Sequence, residues 1–117
     1  MWSVEYTDEF AAWWHQLGQA QQEAIAARVE LLAERGPSLR RPVVGTLKGT
    51  LPNLKELRCA SDGSLRVLFA FDPRRTVVLL LGGNKAGRWR EWYRAAIPAA
   101  ERLYGTYLAE LRQEGLL

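Results

Sequence analysis

The chain opens with Trp2, Val4 and Tyr6 separated by Ser3 and Glu5, the two-residue alternation of a half-buried strand. The spacing then becomes helical. Phe10, Trp13, Trp14 and Leu17 fall on one stripe, Thr7 stands where a cap is needed, and Gly18 predicts a stop. A second helix is predicted from Gln19 to Arg35, with Ile25, Val29 and Leu32 inward and Gly36-Pro37 ending it. The two form an αα-hairpin. Residues 37–53, rich in proline and glycine, predict a loop. Three β-rich runs follow, LKELRCA, LRVLFAF and TVVLLLGG, joined by Ser61-Asp62-Gly63-Ser64 and Asp72-Pro73-Arg74-Arg75. They predict an antiparallel meander. Thr76 to Leu81 is apolar on both alternating faces, as expected of a central strand covered on both sides.

After the polar loop Asn84-Lys85-Ala86-Gly87, Arg88 to Ala96 predicts a turn or two of helix. Pro98 suits the first turn of a longer helix whose stripe is Ala100, Leu103, Tyr104, Tyr107, Leu108 and Leu111. The order β-α-α-β-β-β-α predicts an α+β domain spanning residues 1–117. Its small antiparallel sheet carries the αα-hairpin on one face together with a C-terminal helix, and the helices are expected to share that face.

Composition narrows the chemistry. No apolar run approaches the ~20 residues that span a membrane, and MWSVEYTDEF lacks the pattern of a secretory leader, so a cytoplasmic protein is expected. A single cysteine, Cys59, excludes an internal disulfide, and with one histidine, His15, it cannot build a zinc cluster. No metal and no cofactor are expected. Cys59 reads as a small buried hydrophobe and His15 as a helix-surface or packing residue. Nothing near His15 resembles the nucleophile elbow that a histidine-based triad requires.

Charge is sharply segregated. Residues 1–39 carry a net −4, residues 40–94 a net +8 and residues 95–117 a net −1. Such a field acts on polyanions and directs attention to the middle of the chain. Strand alternation turns Leu65, Val67, Phe69 and Phe71 toward the helices, and Arg66, Leu68 and Ala70 away. With Leu57 and Cys59 inward, Glu56 and Arg58 also point away. Arg58 and Arg66 are thus expected on the helix-free side, with Lys85 following the central strand and Lys48 and Lys55 preceding the second. The five are expected to line one concave surface. The competing reading pairs one of the arginines with Glu56 in a surface ion pair contributing at most about 1 kcal/mol.

RNA supplies its own nucleophile, the 2′-OH, so a cleaving protein need only orient it, stabilise the phosphorane charge and move protons. Arginine cannot give up its proton, so Arg58 and Arg66 would clamp phosphate oxygens, and Lys85, Lys55 or Lys48 would handle protons if their pKa fell. Trp92 and Tyr93 would stack on a base or assist proton transfer, against a packing role. The interleaving of Trp89, Trp92 and Tyr93 with Arg88, Arg90 and Arg94 suits single-stranded nucleic acid, or equally core packing with a solvated rim.

Five segments in register carry a family resemblance: Leu47-Lys48-Gly49, Lys55-Glu56-Leu57-Arg58, Arg66 to Pro73, Leu79 to Lys85, and Trp92-Tyr93 followed by Ile97-Pro98. The chain resembles phage-derived HigB-like toxins of the RelE/ParE superfamily. The resemblance implies the toxin of a type II toxin–antitoxin pair, a ribosome-dependent, metal-independent mRNA endonuclease that blocks translation. It implies a helix-turn-helix, HigA-like antitoxin, with mRNA and the ribosome as further partners and no membrane. It places catalytic positions on Arg58, Arg66 and Lys85 and phosphate contacts on Lys48 and Lys55, to which the basic–aromatic interleaving adds Arg88, Trp92 and Tyr93 as expected RNA contacts. The histidines of some HigB relatives have no counterpart here, since His15 lies in the first helix. Two alternatives stay open: a ParE-like gyrase inhibitor without nuclease chemistry, and a degenerate toxin that only binds its antitoxin.

Overall fold

The computed structural model describes residues 1–47, 54–59, 64–84 and 87–117. Strand β1 (Ser3–Tyr6) leads into helix α1 (Asp8–Trp14) and helix α2 (Gln19–Arg35). A 3-10 turn (Gly36–Ser38) precedes β2 (Val44–Thr46), β3 (Leu54–Cys59), β4 (Leu65–Phe71) and β5 (Thr76–Asn84), and the chain ends in helix α3 (Trp89–Gln113). The α+β class and the order of the long elements are those expected.

Local chemistry explains most boundaries. Thr7 Oγ1 accepts from the Phe10 N–H at 3.0 Å, satisfying an orphan donor of the first turn of α1. The helix stops at Trp14, and Gly18 caps the start of α2, with Gln21 Oε1 accepting from its N–H at 3.1 Å. Gly36 ends α2 at φ 55°, where a Cβ would run into the Trp2 indole, so both the conformation and the close approach call for glycine. The Asp72–Arg75 turn is held by the Asp72 carboxylate, whose Oδ1 accepts from Arg74 N (2.8 Å) and Thr76 N (3.0 Å).

The sheet order is β1-β5-β4-β3-β2. Three features depart from the expected meander. β1 pairs parallel with β5, so the sheet is mixed. A fifth strand, β2, pairs antiparallel with β3 inside the stretch expected to be loop. The C-terminal segment is one helix running through Pro98, not a short piece and a longer one. Pro98 and Arg94 are both exposed, so water can reach the Arg94 carbonyl that loses its amide partner.

The largest correction concerns the layers. Phe10, Ile25, Leu32, Leu57, Val67, Phe69, Val77 and Leu79 form a core between the sheet and the αα-hairpin. A second core joins Leu54, Leu68, Ala70, Val78 and Leu80 to Ala96, Ala100 and Tyr104 of α3. α3 therefore covers the opposite face of the sheet, where that apolar row requires a cover. β5, between the two cores, is buried on both sides as expected. No helix among the described residues is long and apolar enough to cross a membrane.

Candidate active site

The alternation read from β3 and β4 holds. Arg58 and Arg66 are register partners on neighbouring antiparallel strands, on the face away from the αα-hairpin. Two guanidinium groups so placed repel each other unless something intervenes. Glu56 does. Its Oε1 accepts from Arg66 Nε at 3.0 Å, and its two carboxylate oxygens lie 2.5 and 2.9 Å from the Tyr93 hydroxyl.

That face is not open. Arg66 and Glu56 keep only 7% and 5% of their surface exposed, beneath the first turns of α3. The expected surface ion pair is a buried one, and the expected solvent-facing basic sheet is covered by an aromatic layer. Trp92 lies against the backbone of Gly83, the register partner of Arg66, and meets Tyr93 edge-on with ring centroids 5.0 Å apart. Burial, reinforced by the Glu56 carboxylate, pushes the Tyr93 phenol up to about 12, so it stays protonated and donates at neutral pH.

A register shift in β5 helps to assemble this layer. Leu68 pairs with Leu81 and Phe69 with Leu79, which leaves Leu80 as the extra residue of a bulge. Leu80 and Leu81 both pack toward α3, and the alternation beyond them is reversed. Gly82 consequently faces Trp13 of α1, while Gly83 faces Trp92 of α3.

Arg58 is half-buried. Its Nη1 reaches the Pro42 carbonyl at 3.4 Å, and a Cβ built on Gly45 of β2 would stand 2.8 Å from its Nη2. Its Nε is buried with no hydrogen-bond partner among the described residues. The guanidinium thus lies over the outermost strand.

The other expected site residues divide. Lys55 shares the face of Leu57 and Cys59, opposite to Arg58 and Arg66, with its Nζ 3.4 Å from Thr46 Oγ1. The five basic residues therefore do not line one surface. Arg88 is exposed at the start of α3, 4.0 Å from Glu91. Lys48 and Lys85 lie outside the described residues. Cys59 is buried, and burial pushes its thiol up to about 12 against the pull of Arg28 and Arg66. Glu56 is the participant that sequence reasoning cast only as a surface partner; its place on the same sheet face as Arg58 and Arg66 was the available signal.

Chemically, the cluster offers a carboxylate held by an arginine and a protonated phenol, with a second guanidinium alongside. These are a proton acceptor, a proton donor and two guanidinium groups from register-paired positions of neighbouring strands.

Comparison with known proteins agrees with this architecture. Residues 12–105 match the family described as Phage derived protein Gp49-like (DUF891). The chain is 44% identical over 98 residues to the putative toxin HigB3 of Mycobacterium tuberculosis, covering 83% of this chain and 85% of that protein. It is 41% identical over 112 residues to the putative toxin HigB2 of the same organism, covering 93% of this chain but only 55% of the relative. The chain thus spans about half the length of HigB2. Among solved structures, a chain of the intact E. coli RelBE toxin–antitoxin complex superposes with a TM-score of 0.59 at 18% identity, covering 72% of this chain and 96% of that one. That likeness concerns the fold. The residues matched, and the identity to HigB3 over most of both chains, mean that this protein belongs to the phage-derived Gp49-like family of HigB-type toxins.

Proposed function

We propose that this protein is the toxin of a type II toxin–antitoxin pair and that it cleaves mRNA on the ribosome, in the cytoplasm, without requiring a metal. The observation that carries the nuclease reading is the buried Glu56–Arg66–Tyr93 cluster beside Arg58. A buried ion pair is weak as a stabilising device, since desolvation offsets much of its attraction, so its presence under a helix points toward use. In this reading Glu56 takes the proton of the RNA 2′-OH as that oxygen attacks phosphorus. Arg66 and Arg58 hold the non-bridging oxygens, and Tyr93 donates its proton to the departing 5′-oxygen. The products are a 2′,3′-cyclic phosphate and a 5′-hydroxyl end. Substrate entry exchanges the Tyr93–Glu56 hydrogen bond for one between Glu56 and the 2′-OH. Lys85 remains a candidate catalytic residue and Lys48 a candidate phosphate contact. The RelBE neighbour and the HigB relatives support a protein antitoxin as partner, and for HigB-like toxins we take it to be a helix-turn-helix protein.

The test is to sequence the 5′ ends of cellular RNA after brief induction. The wild-type chain should create new 5′-hydroxyl ends within translated frames, and in a reconstituted ribosome assay it should do so unaffected by chelators selective for transition metals. Arg66→Ala should lower the rate by ~100- to 1000-fold, as expected for losing a contact made mainly in the transition state. Unchanged cleavage by Arg66→Ala would remove the site. The near-complete burial of Arg66 favours one second reading, a chain that binds its antitoxin without cutting RNA. Induction of that chain would leave growth and RNA ends unchanged.

A further inference from the structure

On the face opposite Arg58 and Arg66, a concavity of about 470 Å³ opens between the end of the αα-hairpin and the sheet edge. Its floor is Leu39 and Val44, both buried, and around it stand Arg40, Arg41, Thr46 and Lys55. The sequence around it is one-sided: between Glu34 and Glu56 come Arg35, Arg40, Arg41, Lys48 and Lys55, with no carboxylate at all. Arg40 and Arg41 are exposed, and neither they nor Lys55 joins an ion pair among the described residues. A solvated charged face intersperses the two signs, as Arg88 and Glu91 do at the start of α3. Three uncompensated cations around one hollow repel each other and concentrate positive potential, an arrangement that suits an anion.

We propose that this cleft binds the phosphodiester backbone of RNA, as a grip separate from the cleavage site. The inference rests on the RNA-cleaving reading for its choice of polyanion. The geometry favours RNA because the cleft and Arg58 sit on opposite sides of a single strand. β2 is the outermost strand, with Thr46 facing the cleft and Gly45 facing the Arg58 guanidinium. Lacking a side chain, Gly45 lets that guanidinium lie close over the edge. A single strand can therefore round β2 with phosphates on Arg40, Arg41 and Lys55 on one side and on Arg58 on the other. Contacts of this kind fall on phosphates and carry no base preference.

The experiment uses the full chain and a fluorescein-labelled, 2′-O-methylated RNA of about 12 nucleotides, a length within the usual range for single-strand sites and incapable of being cut. Affinity is measured across a series of KCl concentrations for the wild type, Arg40→Ala/Arg41→Ala and Arg40→Lys/Arg41→Lys. Two lost phosphate contacts should make the slope of log affinity against log salt shallower by about 1.4 and weaken binding about tenfold at moderate salt, while the lysine pair stays near wild type. Thermal midpoints check that all three chains are folded. Equal affinity and slope for the alanine pair would overturn the cleft, even if that pair had lost binding to an acidic protein partner. The cleavage reading fails separately. If mRNA on reconstituted ribosomes is not cut by the wild type yet the alanine pair still binds poorly, the grip stands and the nuclease falls. If the wild type binds no RNA, the grip falls, and the cleavage reading is decided by the ribosome assay alone.

Discussion

Glu56 shows how much one residue's meaning depends on burial. On an exposed strand its ion pair with Arg66 would contribute at most about 1 kcal/mol, whereas at 5% exposure its removal takes the carboxylate partner from a buried guanidinium and the acceptor from a half-buried phenol. Glu56→Ala should therefore lower unfolding stability by about 3–5 kcal/mol, measured by urea denaturation. Glu56→Gln, which keeps acceptor capacity toward Arg66 and Tyr93, should lose distinctly less. An alanine variant as stable as the wild type would mean that Arg66 finds equal solvation elsewhere. Cys59 and His15 met the expectations set for them: the first is a buried hydrophobe, the second an exposed helix-end residue.

At the scale of elements, the adjoining glycines of β5 decide how closely the helices approach. Trp13 of α1 and Trp92 of α3 rest on Gly82 and Gly83 from opposite sides, and an added Cβ at either would overlap an indole. Gly83→Ala should cost about 1–3 kcal/mol, the usual range for overpacking, and shift the tryptophan emission. The same change made together with Trp92→Leu should cost less, which a double-mutant cycle would read as coupling. An additive cycle would show that the indole does not hold α3 there. The other half of α3 is tied down by Tyr107. Its hydroxyl lies 2.8 Å from both Glu5 Oε2 and Asp72 Oδ2 and accepts from Arg74 Nη2 at 2.8 Å. Aromatic–polar contacts thus anchor both halves of the helix, while its apolar stripe fills the second core.

Across the whole molecule, these anchors give a pH signature. Burial comes first in raising Tyr93 to about 12, Cys59 to about 12, and Tyr104 and Tyr107 above the ordinary phenol value. The unfolded chain releases those protons at ordinary values near 9–10, the folded chain later. Proton linkage then makes stability complete below about pH 9, with a loss as pH rises from there toward about 12. Denaturation curves from about pH 7 to about pH 11 should show a plateau followed by a fall, shallower for Tyr93→Phe/Tyr107→Phe. A flat profile would mean that the phenols titrate alike in both states. The segregation of charge also acts at this scale, but folding divides the basic middle of the chain between two faces of the sheet, with Arg58 on one and Arg40, Arg41 and Lys55 on the other.

The amino-acid sequence by itself determined whatever depends on neighbours along the chain: the capped helices, the Asp72 turn, the alternation that sends Arg58, Arg66 and Glu56 to one face and Leu57, Val67 and Phe69 to the other. It also marked the resemblance to phage-derived HigB-like toxins through short runs in register. Tertiary structure decided what depends on residues far apart in sequence. β1 found a parallel partner in β5, a three-residue run in a proline-rich stretch became β2 by pairing with β3, and α3 crossed to the face that would otherwise have left Leu68, Ala70 and Val78 in water. That last placement turned an expected open basic surface into a buried carboxylate–arginine–phenol cluster. Local periodicity records which way a side chain points but not what arrives to cover it, because the covering element is chosen by the free energy of the whole packed arrangement.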